Sequence, residues 1–277
     1  MRQDILTIEP ASVANRFWRD LWDYRELFFV LAWRDVAIRY RQTAIGILWA
    51  LLRPFLAMVV FTVFFGKLAG LPSTAGTPYE LLVFAGLLPW NLFATSLADA
   101  GNSLIGNANL ISKVYFPRLI VPAAAIVTSL VDFLVSLFIL VGLMIWYQFT
   151  PGWQFLLLPV FIVMAALAAF GAGLYVSSMT VRYRDFRVVV PFALQFGMYV
   201  SPVGFNAGIV PEKWRLLFDL NPLVGIINGF RWSILRGPGA FDWSSVLMSA
   251  AVIALTLWLG IRRFERDESI LADVVLC

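Results

Sequence analysis

Six long apolar runs, separated by short polar stretches, constrain the fold more than any other feature of this sequence. A helical run of roughly 20 residues spans the hydrocarbon core of a bilayer. The runs lack the regular alternation of a membrane β-barrel. With 61% of its residues hydrophobic and 14% charged, the chain is predicted to be an all-α polytopic membrane protein with one transmembrane domain over residues 1–277. The predicted spans cover 46–66, 81–100, 122–147, 155–180, 188–205 and 244–261.

Residue types that the chain lacks exclude several kinds of chemistry. There is no histidine, so histidine-based metal sites, catalytic triads and proton relays are excluded. Cys277 is the sole cysteine, which rules out an intrachain disulfide. The sequence has no phosphate-binding loop, because Gly66-Lys67 lacks both the upstream glycine and the following hydroxyl. We therefore expect no metal, cofactor or nucleic acid on this chain, and any ATP hydrolysis must occur elsewhere.

Residues 15–43 precede the first span and have the pattern of an amphipathic helix. The apolar positions recur every three or four residues, with tryptophans widening the apolar face and arginines lying elsewhere. Such a helix is typical of the membrane interface, and the alternative is a helix packed on another protein surface. The apolar positions are Phe17, Leu21, Tyr24, Phe28 and Leu31.

The stretch 100–122 is the longest polar interruption among the first apolar runs. Apolar residues at helical spacing predict a short amphipathic helix within 102–116, and Pro117 ends it. A helix of this kind between two spans presents a surface to something outside the lipid.

Residues 206–241 contain two apolar pieces that are too short to span. Trp214–Leu220 and Leu223–Leu235 are separated by Asn221-Pro222, and a 13-residue helix is only about 20 Å long. They are predicted to be two short re-entrant or interfacial helices before the last span. In the fourth span, Gly171 and Gly173 predict the close approach of another helix.

Basic residues are distributed unequally between the two sides of this topology. Sixteen of the 21 lie on the side that holds both termini and residues 102–116. The positive-inside rule predicts that this side is cytoplasmic and that the re-entrant pair faces outward.

Asp132 lies near the middle of the third predicted span. Such a carboxylate is either functional or hydrogen-bonded to a serine or threonine on a neighbouring helix. Without a histidine or a second central acid, the second interpretation is favoured.

Five segments together resemble the permease subunits of type-2 ABC exporters, most closely those that export O-antigen and related cell-surface polysaccharides. They follow in the expected order over nearly the whole chain. The segments are RDVAIRYRQTAIGILW (34–49), NANLISKVYFPRLIVP (107–122), RYRDFR (182–187), SPV (201–203) and NPLVGIINGFR (221–231).

The resemblance implies a homodimer in the bacterial inner membrane, with each copy docked on a separate ATPase subunit that binds ATP and Mg. It implies that 102–116 is the coupling helix, that the N-terminal helix lies at the cytoplasmic gate and that 209–235 forms the periplasmic gate. The implied cargo is a glycan on an undecaprenyl diphosphate carrier. The coupling residues would be Leu104, Ile105, Asn107, Asn109, Leu110, Ile111, Lys113, Val114 and Tyr115.

Aromatic residues on three spans provide a candidate glycan pathway, because aromatic faces suit the C–H faces of sugars. Lipid-facing packing is the alternative. The candidates are Trp49, Phe55, Phe61, Trp90, Phe93, Phe196, Tyr199 and Phe205. Arg34, Arg39 and Arg41 are candidates for attracting the carrier diphosphate, or they fix the topology.

Two other functions remain open at the level of sequence. The same fold could export a teichoic-acid-like polymer, a drug or a small lipid. An intramembrane enzyme acting on lipid-linked sugars would need catalytic acids, and the candidates Asp99, Asp132 and Asp185 form no obvious pair.

Overall fold

The structure, a computed structural model, describes residues 22–41, 46–70, 77–114, 116–235 and 241–274. The side chains of 46, 47 and 268–274 are left out of the description. Several predicted features lie outside the described residues: the helix start at 15–21, the end of the N-terminal segment at 42–43, Tyr115 of the coupling set and part of the 206–241 region at 236–240.

All the regular elements among the described residues are helices, as expected for an all-α polytopic membrane protein. Five apolar helices are long enough to cross a membrane, and the apolar α7 is shorter. The elements are α1 (Arg25–Arg41), α2 (Gly46–Phe61, continued by a π-helical turn at Thr62–Leu68), α3 (Tyr79–Gly106), α4 (Ala108–Ile111), α5 (Ile120–Trp146), α6 (Leu158–Arg182, preceded by a 3-10 turn at Trp153–Leu157), α7 (Phe186–Val200), α8 (Glu212–Asp219), α9 (Pro222–Leu235) and α10 (Trp243–Val274).

The bundle is built around α3, the most buried of the five long helices. Helix α6 packs closely on α3, since a Cβ on Gly173 would lie 2.8 Å from the Cβ of Ala100. A Cβ on Gly171 would lie 2.7 Å from the backbone nitrogen of Leu257 in α10. These contacts confirm the predicted close approach at Gly171 and Gly173, where only a residue without a side chain fits.

Two apolar clusters divide the bundle along its length. At the first end, Leu31 of α1 packs with Leu104 of α3, Leu174 of α6 and Phe264 of α10. Toward the second end, nearly every side chain of α9 is buried against α3, α6 and α10. Helix α9 is therefore a core element of the bundle, whereas α8 is exposed along its length.

Two predicted boundaries are wrong, each for a local reason. The second span does not end at residue 100, because Asn102 and Ser103 bond back to Ala98 O and Ala100 O within the helix and α3 continues to Gly106. The fifth predicted span does not run to residue 205. Helix α7 ends at Val200, and Ser201 is extended, as expected for a residue that precedes proline.

Helix α1 has two apolar faces on opposite sides. Leu31 is buried in the first-end cluster, and Leu27 packs against it. On the other side lie Phe29 and Trp33 of α1, and Trp22 just before the helix; each is more than 65% exposed. One face thus packs on the bundle, and the other presents aromatic side chains outward.

Candidate functional site

A charged network joins α1 to two of the long helices. Arg39 of α1 donates through Nη1 to Asp132 of α5 at 2.9 Å and through Nη2 to Asp99 of α3 at 3.1 Å. Tyr40 donates its hydroxyl hydrogen to the other oxygen of Asp132, and Ser129 donates to Asp99 at 3.0 Å. Burial, followed by the hydrogen bond to Asp132, raises the pKa of Tyr40, so this phenol stays protonated. One guanidinium therefore faces two carboxylates and fixes the orientation of α1.

This network corrects two of the sequence-based interpretations. The side chain of Asp132 is bound by Arg39 and Tyr40 of α1, and not by a serine or threonine as expected. The neighbouring serine, Ser129, donates its hydrogen bond to Asp99. Asp99 and Asp132 also come together at one guanidinium, although their positions in the sequence predicted no pair. The third candidate acid, Asp185, lies apart and exposed at the start of α7.

The other two candidate carrier arginines lie in different surroundings. Arg34 bonds to Asp35 at 2.7 Å and to the amide oxygen of Asn107 at 2.5 Å. Asn107 in turn donates to Ser103 O at 2.9 Å and so closes the end of α3. Arg41 is exposed in the last turn of α1. Arg34 and Arg39 thus interact with their own chain, and only Arg41 projects away from it.

A cavity of about 460 Å³ opens between α1, α2, α3 and α5, beside the Arg39 network. Its polar lining comes from Arg39, Tyr40, Arg53, Asn91, Thr95 and Asp132, and its apolar lining includes Trp49 and Phe133. A second recess of about 420 Å³ lies on the other side of Arg39, toward Asp99 and Asn107.

The predicted coupling helix is broken into two pieces. Leu104 and Ile105 belong to the end of α3, and Leu104 is 1% exposed inside the first-end cluster. Only α4, a single turn, is a separate helix, and its Leu110 and Ile111 pack against that cluster. Three residues of the apolar face that we expected to be free for docking, Leu104, Leu110 and Ile111, are therefore turned toward the bundle.

The exposed part of this stretch consists of three polar residues and one valine. Asn109, Ser112, Lys113 and Val114 form a protruding tip, with Val114 51% exposed. Beside them lies a recess of about 320 Å³, whose lining includes Lys113, Val114 and Phe116. Asn107, also named as a coupling residue, is half-buried through its bond to Arg34.

The candidate pathway aromatics separate into buried and exposed groups. Phe61 and Trp90 are buried in the bundle, and Trp90 packs beside Gly197 of α7. Exposed aromatics concentrate on two helices: Trp49 and Phe55 on α2, and Phe196 and Tyr199 on α7. Phe93 and Phe205 are partly buried.

Sequence reasoning missed the role of Arg231, which was counted only as one of the basic residues. In α9 it is buried and donates to three backbone carbonyls: Leu82 at 3.0 Å, Phe205 at 2.8 Å and Val203 at 2.6 Å. Tyr79 donates to Gly204 O of the same turn at 2.6 Å. The available signal was an arginine inside a 13-residue apolar run, a position where a charge is costly unless it is satisfied.

Comparison with known proteins gives relatives over nearly the full length. The chain is 27% identical over 264 residues to an O-antigen export system permease protein of Myxococcus xanthus, covering 94% of this chain and 99% of the relative. A protein of the same description from Klebsiella pneumoniae is 26% identical over 238 residues, covering 85% and 90%. An inner membrane transport permease of Escherichia coli is 26% identical over 197 residues, covering 67% and 75%.

A family model also matches most of the chain. The model described as ABC-2 type transporter matches residues 26–235, which include the Arg39 network, the exposed tip and Arg231. Because this match covers well over half of the chain, the protein belongs to the ABC-2 type transporter family.

Proposed function

We propose that this chain is the membrane subunit of an ATP-driven exporter of lipid-linked polysaccharide, of the O-antigen class. The observation that carries the proposal is the match to O-antigen export permeases over 94% and 85% of the chain. Matches of that extent include both ends of the bundle, so they are not confined to a shared helical core.

The proposed topology has six crossings with both termini in the cytoplasm of a bacterial inner membrane. Helix α7 begins four residues after α6 ends at the first end, and the turn after it is held by Arg231 at the second end. It therefore runs from one end of the bundle to the other, although 15 residues give only about 22 Å. The basic residues concentrate at the first end, which makes that end cytoplasmic.

The energy would come from a separate ATPase subunit carrying ATP and Mg, because this chain has no phosphate-binding loop. We assign the docking surface to the exposed tip at Asn109, Ser112, Lys113 and Val114. The recess beside Val114 offers a place for a side chain of the ATPase. Leu104 and Ile105 would support this surface from within the fold.

The glycan pathway would lie between two copies of the chain. The exposed aromatics of α2 and α7 are the candidates to line it, since Phe61 and Trp90 are buried in one copy and support the lining from behind. Phe61 stacks on Tyr199 at a centroid distance of 6.5 Å, so the buried and exposed aromatics are in contact.

The two ends of the bundle would carry the two gates. At the cytoplasmic end, the aromatic face of α1 would rest in the membrane interface while Arg39 holds the opposite face on the bundle. At the periplasmic end, α8 and α9 would form a re-entrant pair, with Arg231 fixing the turn at Val203 and Phe205.

Deleting the gene in its native host tests the cargo. We expect loss of surface polysaccharide and accumulation of lipid-linked glycan on the cytoplasmic side, both restored by the wild-type chain. Unchanged surface polysaccharide, together with a changed drug susceptibility or lipid composition, would favour export of a drug or a small lipid. Loss of a teichoic-acid-like polymer alone would assign that cargo.

An intramembrane enzyme is less well supported than a transport subunit. Asp99 and Asp132 are both engaged by Arg39, and each is bound by a further hydroxyl group. Two carboxylates held in this way act as a structural ion-pair network and are poorly placed to exchange protons with a substrate.

A further inference from the structure

The cavity beside the Arg39 network is lined by two arginines that lie in different surroundings. Arg39 is engaged by Asp99 and Asp132, whereas Arg53 makes no ion pair or side-chain hydrogen bond within the part of the chain that the structure describes. Arg53 lies five residues inside the apolar span Leu48–Leu68. A guanidinium at such a depth needs an anionic partner or water.

The other groups around Arg53 specify what that anion carries. Trp49 lies one helical turn before Arg53 on α2, so both side chains are on the same face, and both line the cavity. Asn91 lines the opposite wall from α3, and its side-chain amide makes no hydrogen bond to any other described residue. An aromatic face, a free amide and a guanidinium are suited to a sugar C–H face, a sugar hydroxyl and a phosphate, respectively.

The size and placement of the cavity agree with such a ligand. Its volume of about 460 Å³ is within the range of small-molecule sites, which is about 300–1,000 Å³. Its lining extends from the Arg39 network to Leu88, Leu92 and Phe133 of the second apolar cluster, so a ligand would lie inside the bundle.

We infer that this cavity binds the junction of a lipid-linked glycan, with Arg53 on the diphosphate and Trp49 and Asn91 on the first sugar. The inference rests on the proposed function and specifies the part of the cargo that this chain recognises. The glycan beyond the first sugar is too large for the cavity and extends away from it. Recognition of the junction would make the chain indifferent to glycan length while it rejects free sugar.

Arg53 and not Arg39 is the phosphate ligand in this assignment. Asp99 and Asp132 both form ion pairs with Arg39, and a phosphate would have to displace one of these carboxylates to reach it. Arg53, which has no ion pair among the described residues, presents a planar fork of donors that matches two phosphate oxygens.

Binding of defined lipid probes tests the assignment. The full chain would be placed in nanodiscs of phosphatidylcholine and titrated with geranylgeranyl diphosphate, geranylgeranyl monophosphate and geranylgeraniol, with bound probe counted by native mass spectrometry. We expect the diphosphate to bind at least about tenfold more tightly than the alcohol, because charge-assisted hydrogen bonds are the strong ones. Arg53→Gln should remove that preference, Arg53→Lys should retain part of it, and Arg184→Gln, an exposed arginine of the 182–187 loop, should leave it unchanged.

A second variant tests the sugar contact and does not depend on the arginine. With a polyprenyl diphosphate that carries one N-acetylhexosamine, Trp49→Leu should weaken binding about tenfold, whereas binding of the bare diphosphate should stay the same. Equal weakening on both probes would show that Trp49 only packs the cavity and would overturn the sugar assignment.

Two outcomes would overturn the phosphate assignment. If phosphatidylglycerol added to the nanodiscs displaces the diphosphate at equal concentration, the cavity holds an ordinary phospholipid headgroup. If Arg53→Gln binds the diphosphate as tightly as the wild-type chain, Arg53 is a topology anchor. Neither result bears on surface polysaccharide in the deletion strain, so the proposed function is tested separately.

Discussion

Two arginines hold the two ends of this bundle in opposite ways. Arg39 at the first end is about one-third exposed and faces two carboxylates, which come from α3 and α5. Arg231 at the second end is buried and faces three backbone carbonyls, and no carboxylate lies within ion-pair distance of it among the described residues. Arg39 therefore ties one helix to others by charge, whereas Arg231 fixes the course of a turn by hydrogen bonds.

The difference indicates which end can rearrange. Ion pairs that water reaches are weak and exchange their partners easily, so the charged contacts of α1 can rearrange at low cost. A guanidinium that satisfies three buried carbonyls cannot leave without orphaning all of them. We expect α1 to change its position at the first end, and we expect the turn at Val203 and Phe205 at the second end to stay rigid.

Removing the buried arginine should have the largest effect. Arg231→Met keeps the length of the side chain but leaves the carbonyls of Leu82, Val203 and Phe205 without their donor. We expect a loss of about 3–5 kcal/mol, measured as a much lower unfolding temperature in detergent. Arg215→Met, an exposed arginine of α8, is the matched control and should change little. Equal stability of the two variants would contradict the claim that Arg231 holds the turn at the second end in place.

Lysine at the same two positions should sharpen the contrast. Arg231→Lys cannot reach three carbonyls with a single ammonium and should be nearly as unstable as Arg231→Met. Arg39→Lys keeps a charge between two carboxylates and should stay close to wild type. The check is thermal unfolding of both variants under one condition. Similar unfolding temperatures would show that the two arginines stabilise the bundle in the same way, and that the geometry of the Arg231 guanidinium is not needed.

Breaking the charged network should release α1 and leave the bundle folded. Arg39→Gln leaves Asp99 and Asp132 facing each other without a cation, and we expect a cost of about 1–2 kcal/mol. Faster tryptic cleavage within α1 would report the release. The triple variant Arg39→Gln, Asp99→Asn, Asp132→Asn removes the repulsion and should cleave more slowly than Arg39→Gln alone. If the triple variant cleaves faster, the carboxylates do not act through Arg39.

The carboxylate that caps α10 at the second end should give the smallest effect. The hydrogen bond from Ser244, with further bonds from the Ser245 amide and Arg215, lowers the pKa of Asp242 below its ordinary value. Its contribution is therefore present above the unfolded-state pKa and is lost as the pH falls through the folded-state value. Asp242→Asn should cost about 1 kcal/mol near neutral pH and nothing in acid. A difference that persists at the lowest pH would show that charge is not the cause.

Much of the fold was predictable because its signals are local. Apolar runs of sufficient length specify spans, and the pattern after Asn15 predicted a helix, of which the structure describes Arg25–Arg41. The single apolar face predicted for it was wrong, because Phe29 and Trp33 lie opposite Leu31. Gly171 and Gly173 predicted the close helix contact for the same reason, since glycine in an apolar run has few other uses.

The site was less predictable because its contacts join residues far apart in the sequence. Arg39 meets Asp99 and Asp132 at separations of 60 and 93 residues, and nothing in the spacing of a single segment encodes that meeting. The apolar residues of 102–116 showed helical spacing, but spacing does not reveal which protein covers them. Leu104 is covered by this chain itself, and that fact moves the proposed docking surface to the polar tip.

Transport by purified components tests the central claim most directly. Vesicles containing this chain and its ATPase, loaded with lipid-linked glycan on the outer face that corresponds to the cytoplasm, should move the glycan inward when ATP is added. The variant Lys113→Glu with Val114→Asp at the exposed tip should fold normally, lose the ATPase on purification and move none. ATP-dependent movement that is equal in vesicles without this chain, or that survives in the tip variant at the wild-type rate, would contradict the account.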